Sequence, residues 1–386
     1  MGFHYAVLGA GKQGQTIAYD LAKNGDANSV CIFDLNEEIA VQAKNRLNNL
    51  LEIQIVTAQQ LNVKNKNELA PKLNSYDTLV SAVPYFLNEL ITEVAIEHNI
   101  NMIDLGGNTE IVKNQLAKNK DALNSNIAIT PDCGMGPGMN ITLSLLVMEQ
   151  FDDPKTIHIY DGGLPQEPEE PWNYNLFFNI NGLTNEYDGS ASFIRNGKIE
   201  EVECFEDIES VDFENYGLLE ASVTSGGLST MPWSFLKQLN TLENKTLRYP
   251  GHWKDMIAYR RLGLFDLNEI EINNQKIIPR EFYHHLLAPK LTKENVKDVC
   301  LMRIIGSGIK NGQEKKIQLD AIELFDDSTG FTAMEKWTGW HASIVAIHVT
   351  KNKITGAIPV EKIITGNKFL HEAKKRNFNI KLKEIK

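Results

Sequence analysis

The feature that most constrains this chain lies near its start, in HYAVLGAGKQGQTIAYDLAKNG, residues 4–25. A short apolar run, HYAVL (4–8), leads into Gly9-x-Gly11-x-x-Gly14. From Lys12 to Asn24 the apolar residues Ile17, Ala18, Leu21 and Ala22 recur at helical spacing, and Asn24-Gly25 supplies the stop. Strand, glycine turn and helix in that order predict a dinucleotide cradle. Gly9 permits the tight turn, Gly11 has no side chain to block a pyrophosphate, and Gly14 lets the helix pack close to the strand. With Lys12 and Gln13 they open a helix whose free N–H groups and positive dipole end suit phosphate. Asp34 lies twenty residues past Gly14, at the end of the next strand. A carboxylate there accepts both ribose hydroxyls and repels a 2′-phosphate, which favours NAD over NADP.

The alternation continues. SVCIF (29–33), IQIV (53–56), DTLVSAV (77–83), NMIDL (101–105) and IAIT (127–130) read as strands. Helical patterns separate them: Ile39, Ala40, Ala43, Leu47 and Leu50 on one face, LNELITEVAIEHN (87–99), and a segment near 110–122. Short apolar strands alternating with amphipathic helices predict an α/β fold, a Rossmann-type doubly wound parallel sheet. Ala82, Val83 and Pro84, at the end of the fourth strand, are candidate cofactor contacts, and Tyr85 beyond them is a candidate for the nicotinamide pocket. Asp104 closes the neighbouring strand, as a substrate contact or as a brace for the loop that follows.

A chain of 386 residues exceeds one ordinary core. We expect a dinucleotide-binding domain over 1–131, a substrate-binding, catalytic and dimerisation domain over 132–334, and a helical tail over 335–386 that returns to the first. The net charge of −11, without a long Lys/Arg run, argues against a nucleic-acid or anionic-membrane surface. No apolar run is long enough to span a bilayer. The first residues already read as strand, so no signal peptide is expected, and Ala6 stands where a myristoylation signal wants Ser or Thr. The expected compartment is the cytoplasm. Cys31, Cys133, Cys204 and Cys300 are widely spaced, which suggests neither a disulfide framework nor a metal site. Cys133 reads either as a reactive thiol or as a small buried residue.

After the sixth strand comes TPDCGMGPGMNITLSLLVMEQ (130–150), a glycine-rich loop into a helix over 139–149. Ligands bind beyond the carboxyl ends of strands in such sheets, where Asp132 falls. Asp132 is therefore the first candidate for a general base, and the backbone N–H groups near Gly138 are candidates to receive a substrate carboxylate. From about 151 the texture changes. TIHIYDGGLP (156–165) and LLEASVTSGGLS (218–229) contain strands, SFIRNGKIEEVECF (192–205) and 299–324 read as hairpins at Asn196-Gly197 and Asn311-Gly312, and 245–263 reads as strand, turn, helix. This predicts a largely antiparallel α+β domain. The final helix, 332–349, shows Trp337, Trp340, Ile344 and Ile347 on one apolar face.

The motifs VLGAGKQG, DLGGN (104–108), PDCGMGPG (131–138), YDGGLP (160–165), TSGGLST (224–230) and TLRYPGH (246–252) occur in this order. Together, with EYD, FIRNGK and LEASVTSGG between them, they resemble the saccharopine dehydrogenase-like enzymes, most of all the lysine 6-dehydrogenase branch. The resemblance implies a Rossmann domain with an inserted catalytic domain, at least a dimer, and substrate contacts from Thr246 and Arg248. It also implies that L-lysine, NAD+ and water give the semialdehyde, ammonia and NADH. The related fungal saccharopine reductases carry an acidic residue directly before the Pro-Gly of the loop, where this chain has Gly136. An ε-ammonium of pKa about 10.4 must lose a proton before hydride leaves, so a base is needed. Asp132 and His252 are the candidates, and Arg248 suits a two-pronged bond to an α-carboxylate. Other readings are a saccharopine reductase, a polyamine-type reductive condensation, and a NAD-sensing protein without turnover.

Overall fold

The computed structural model describes residues 2–293 and 296–386. The amino-terminal third forms β1 (Phe3–Leu8), β2 (Ala27–Asp34), β3 (Val56–Gln60), β4 (Thr78–Ser81), β5 (Asn101–Asp104) and β6 (Ala128–Thr130), with helices between them. They pair in parallel in the order β6-β5-β4-β1-β2-β3. The order reverses at β1, where consecutive connections diverge to opposite sides, and that is where such sheets bind ligands. The third strand begins at Val56, at the end of the predicted IQIV. The preceding helix, Glu37–Leu51, closes at Glu52 in a left-handed conformation, and residues 53–55 carry the chain back. The strand that pairs, VTAQQ, is polar because it forms an edge, so apolar content marked its lead-in instead.

The second sheet is built from β7 (Asp153–Pro165), the hairpin β8 (Ser190–Arg195) and β9 (Lys198–Glu203), β10 (Glu209–Phe213), β11 (Gly217–Val223) and β12 (Thr241–Arg248). A short separate hairpin, β13 (Ile270–Ile272) and β14 (Gln275–Ile277), precedes the long pair β15 (Asp298–Lys310) and β16 (Gln313–Leu324). Both predicted hairpins turn at Asn-Gly, at 196–197 and 311–312. The central pairing, β12 with β7, is parallel, so the sheet is mixed rather than wholly antiparallel.

The tail serves both sheets. Its helix, Ala333–Asn352, is followed by β17 (Gly356–Ala357), which adds a seventh parallel strand beside β6, and by β18 (Asn379–Ile385), which pairs with β16. The helix was expected to bury one face. It is buried almost all round, with His341, Ser343 and Val345 covered as fully as Trp337 and Ile344. It runs against helix Lys12–Asn24 and β5 on one side and β15 on the other. A continuous apolar core therefore links the two parts of the chain, from Tyr5 and Ile17 through Trp337 and Ile344 to Met302 and Leu319.

Candidate active site

The glycine turn has the form that a nucleotide requires. Gly9 sits at φ +100°, and a side chain on Gly14 would stand 1.8 Å from the Gly9 carbonyl. At Gly11 a side chain would meet nothing within 4 Å, so the space in front of the turn is open. No side chain caps helix Lys12–Asn24, which leaves first-turn N–H groups for an anion. Asp34 accepts the Ala10 N–H (2.8 Å) and the Asn36 N–H (2.9 Å), which ties the end of β2 to the turn. Ala82 and Val83 face Gly9 from the end of β4. These residues fit a dinucleotide.

Beside this edge lies a cleft of about 200 Å³ between the two sheets, lined by Gln13, Leu105, Gly134–Gly136, Thr338 and, from the second sheet and its loops, Asp161, Tyr174, Glu186, Asn244, Thr246 and Arg248. Arg248 is 3% exposed. Its Nε donates to the Tyr187 hydroxyl (2.8 Å), and its guanidinium lies 4.8 Å from the Tyr174 ring centre and 4.0 Å from the Glu186 carboxylate. Burial works against its charge, but Tyr187, Tyr174 and Glu186 more than restore it, so it stays cationic. Asp161 accepts from Asn244 Nδ2 (2.7 Å), and Thr246 shares a hydrogen bond with Thr224 (2.7 Å). Burial raises Asp161 to about 6 and Glu186 to about 7, against the pull of Arg248. One cation and two carboxylates thus face one small cleft.

Several candidates from the sequence take other positions. Asp132 lies under the cleft floor, 2% exposed. One oxygen accepts the Ser229 hydroxyl, and the other presses against Gly106 without a hydrogen-bond partner. Burial pushes its carboxyl well up, and it lines no part of the cleft. Asp104 braces its loop, accepting from Gln115 (2.7 Å) and Gly106 (2.8 Å). The N–H groups that were to hold a substrate carboxylate are already used. Gly138 and Ile141 donate to the Asn140 side chain, Met139 to Gly134 and Asn140 to Met135. His252 is 1% exposed and stands behind Arg248. Its Nδ1 contacts the Trp172 carbonyl (3.2 Å), which only accepts, so Nδ1 carries the proton and Nε2 accepts from Tyr187 (2.9 Å). Burial, then Arg248, lowers it to about 3. It positions the arginine and does not reach the cleft. Tyr85 does not line the cleft, and its hydroxyl lies 3.5 Å from Asn185 Nδ2. Cys133 is a buried free thiol, pushed well up by burial, and it does not line the cleft.

Asp161, Tyr174, Glu186 and Asn244 were not among the candidates from the sequence. Asp161 and Glu186 lie inside YDGGLP and EYD, and only Asp161, at the end of an apolar strand, stood out as an acid in apolar surroundings.

A nucleotide-binding turn set beside a charged cleft is what this fold defines. The chain matches "Saccharopine dehydrogenase NADP binding domain" over residues 5–130 and "Saccharopine dehydrogenase C-terminal domain" over residues 134–378. It belongs to the saccharopine dehydrogenase family. It is 25% identical over 289 residues to the mitochondrial alpha-aminoadipic semialdehyde synthase of Rattus norvegicus, a match covering 72% of this chain and 29% of the rat protein. It is 23% identical over 150 residues to the NADP+, L-glutamate-forming saccharopine dehydrogenase of Schizosaccharomyces pombe, covering 37% of this chain and 32% of the other. The chain thus spans under a third of the length of each relative. The apo saccharopine dehydrogenase (L-Glu forming) of Saccharomyces cerevisiae shares the fold across the whole of both chains, with a TM-score of 0.82 at 16% identity. Among the described residues no helix is long and apolar enough to cross a membrane.

Proposed function

We propose that this enzyme oxidises L-lysine at its ε-carbon with NAD+, releasing ammonia and the semialdehyde. The observation that carries this reading is the charge set of the cleft. Arg248 is the one cation among its described lining residues, and Asp161 and Glu186 are the carboxylates. That set complements a small molecule with one carboxylate and two amines. Saccharopine carries three carboxylates and would bring a surplus of negative charge to this cleft, where like charges repel strongly.

NAD, when bound, accepts a hydride from the amine-bearing carbon. The chain binds, orients and moves protons. The glycine turn, Lys12, Gln13, Asp34 and Ala82–Pro84 would hold the dinucleotide. Arg248, steadied by Tyr187 and His252, would clamp the α-carboxylate, and Asp161 with Thr246 would orient the rest of the substrate. The preference for NAD over NADP rests on Asp34 and on Glu37 and Glu38 just beyond it. We expect a homo-oligomer, because the exposed Leu262, Leu267, Ile270, Ile272, Phe282 and Leu286 all fall within one stretch of chain. We expect the cytoplasm, since all four cysteines are free thiols.

The test is a steady-state assay with NAD+ and L-lysine. NADH and ammonium should appear in equal amounts. Oxidation of NADH only when the semialdehyde and glutamate are supplied together would overturn the reading in favour of a saccharopine reductase.

A further inference from the structure

The two carboxylates of the cleft differ in what they already touch. Asp161 is 6% exposed and holds the Asn244 amide with one oxygen. Its other oxygen fills the space beside Gly136, where a side chain would stand 2.9 Å from it. Glu186 makes no side-chain hydrogen bond to the described residues. Its nearest charged partner is the Arg248 guanidinium at 4.0 Å, and 35% of its side chain is open to the cleft. Its backbone is nonetheless fixed. It ends helix Ile180–Glu186, its carbonyl accepts the Ser225 N–H (2.8 Å), and the next residue, Tyr187, is held between Arg248 and His252. A carboxylate on a fixed backbone, free at its oxygens and open to the cleft, meets the demands on a general base. Asp132, sealed beneath Gly106 and Ser229, does not.

We propose that Glu186 is the catalytic base that takes the proton from the reacting ammonium of the substrate. The assignment rests on the amine-dehydrogenase reading above. An N–H bond breaks, the proton passes to a Glu186 oxygen, and the electron pair stays on nitrogen. The adjacent C–H bond then breaks with its pair transferred as hydride, which oxidises the amine and reduces NAD+. The nitrogen pair closes the C=N bond, and water adds to that carbon and expels ammonia. Glu186 passes its proton to solvent. Amine (as ammonium), NAD+ and water thus give aldehyde, ammonium, NADH and one proton. The groups facing Glu186 are Arg248 from β12, Asp161 from β7, Tyr174 from the loop after β7, and the adjacent Tyr187. Burial, opposed by Arg248 and reinforced by Asp161, poises the Glu186 carboxyl at about 7, where it can both take and release a proton.

The experiment compares wild type with Glu186→Gln and Glu186→Asp, using NAD+ and L-lysine across pH. Glu186→Gln should lower kcat by about a hundredfold to ten-thousandfold and lose the rise of kcat with pH through neutrality. Glu186→Asp should keep that rise at a reduced rate. Calorimetric titration of the NADH complex with lysine, in buffers of different ionisation enthalpy, gives a readout without turnover. Near neutral pH wild type should release a proton as the ammonium selects ionised Glu186, and Glu186→Gln should release none. A Glu186→Gln variant within about threefold of wild-type kcat, with the same pH profile and proton release, overturns the assignment. Wild type that oxidises no amine would instead remove the reading on which it rests.

Discussion

At the scale of single residues, the site separates groups that carry charge into the cleft from groups that hold them there. Arg248 is held in place by neighbours that do not line the cleft. Tyr187 and His252 form a fixed chain from its Nε to the Trp172 carbonyl. Asp34 shows the reverse economy, since one carboxylate ties the glycine turn and still faces outward. Asp34→Ala should lower kcat/KM for NAD+ by about 10- to 100-fold, the worth of about 1.5–3 kcal/mol of charge-assisted hydrogen bonding. It should leave kcat/KM for NADP+ less affected, so that the ratio of the two, measured side by side, narrows. A ratio unchanged by the substitution would remove Asp34 from cofactor choice. The glycine turn was legible in the sequence because its geometry is local, whereas Thr246 and Arg248 were singled out through the family resemblance. Glu186 and Asp161 were not, because their roles depend on β7, β12 and helix Ile180–Glu186 converging from distant parts of the chain.

Among the elements, the parallel sheet could be read almost strand by strand, because buried parallel strands are continuous apolar runs. Its edge strand β3 was displaced for the opposite reason, being polar. The glycine-rich loop after β6 was legible as a loop but not in its role. Its N–H groups looked available in the sequence, and the Asn140 side chain and neighbouring carbonyls consume them. His341, from the tail helix, pins the same loop through the Cys133 carbonyl (2.9 Å) and reaches Thr142 (2.9 Å). Burial, only partly offset by the Cys133 carbonyl, lowers His341 to about 4. The folded chain keeps it neutral while the unfolded chain binds a proton below about pH 6.5. Its stabilisation is therefore complete above that pH and is lost as pH falls toward 4. Chemical denaturation should show His341 accounting for about 2 kcal/mol of the stability lost between about pH 7 and about pH 5. His341→Gln should flatten the loss by that amount and leave the part due to His252. A variant with the wild-type acid dependence would contradict the assignment.

For the whole molecule, the decisive feature is a tail that stitches both sheets together. Helix Ala333–Asn352 fills the seam, β17 extends the first sheet and β18 the second. Arg376 fastens this tail to the nucleotide-binding helix through a buried ion pair with Asp20 (2.7 and 2.8 Å), and Ser343 also donates to Asp20. Arg376→Ala leaves Asp20 buried and unpaired, and should cost about 3–5 kcal/mol of folding stability in equilibrium unfolding. A loss below about 1 kcal/mol, as for an exposed pair, would show that the tail is not held this way. The seam matters because it brings the glycine turn and the Arg248 cleft to one edge. The most direct measurement is the ratio of kcat/KM for L-lysine to that for saccharopine with NAD+ on the same preparation. One guanidinium facing two carboxylates predicts a ratio far above one, whereas ready oxidation of saccharopine with lysine untouched would contradict it.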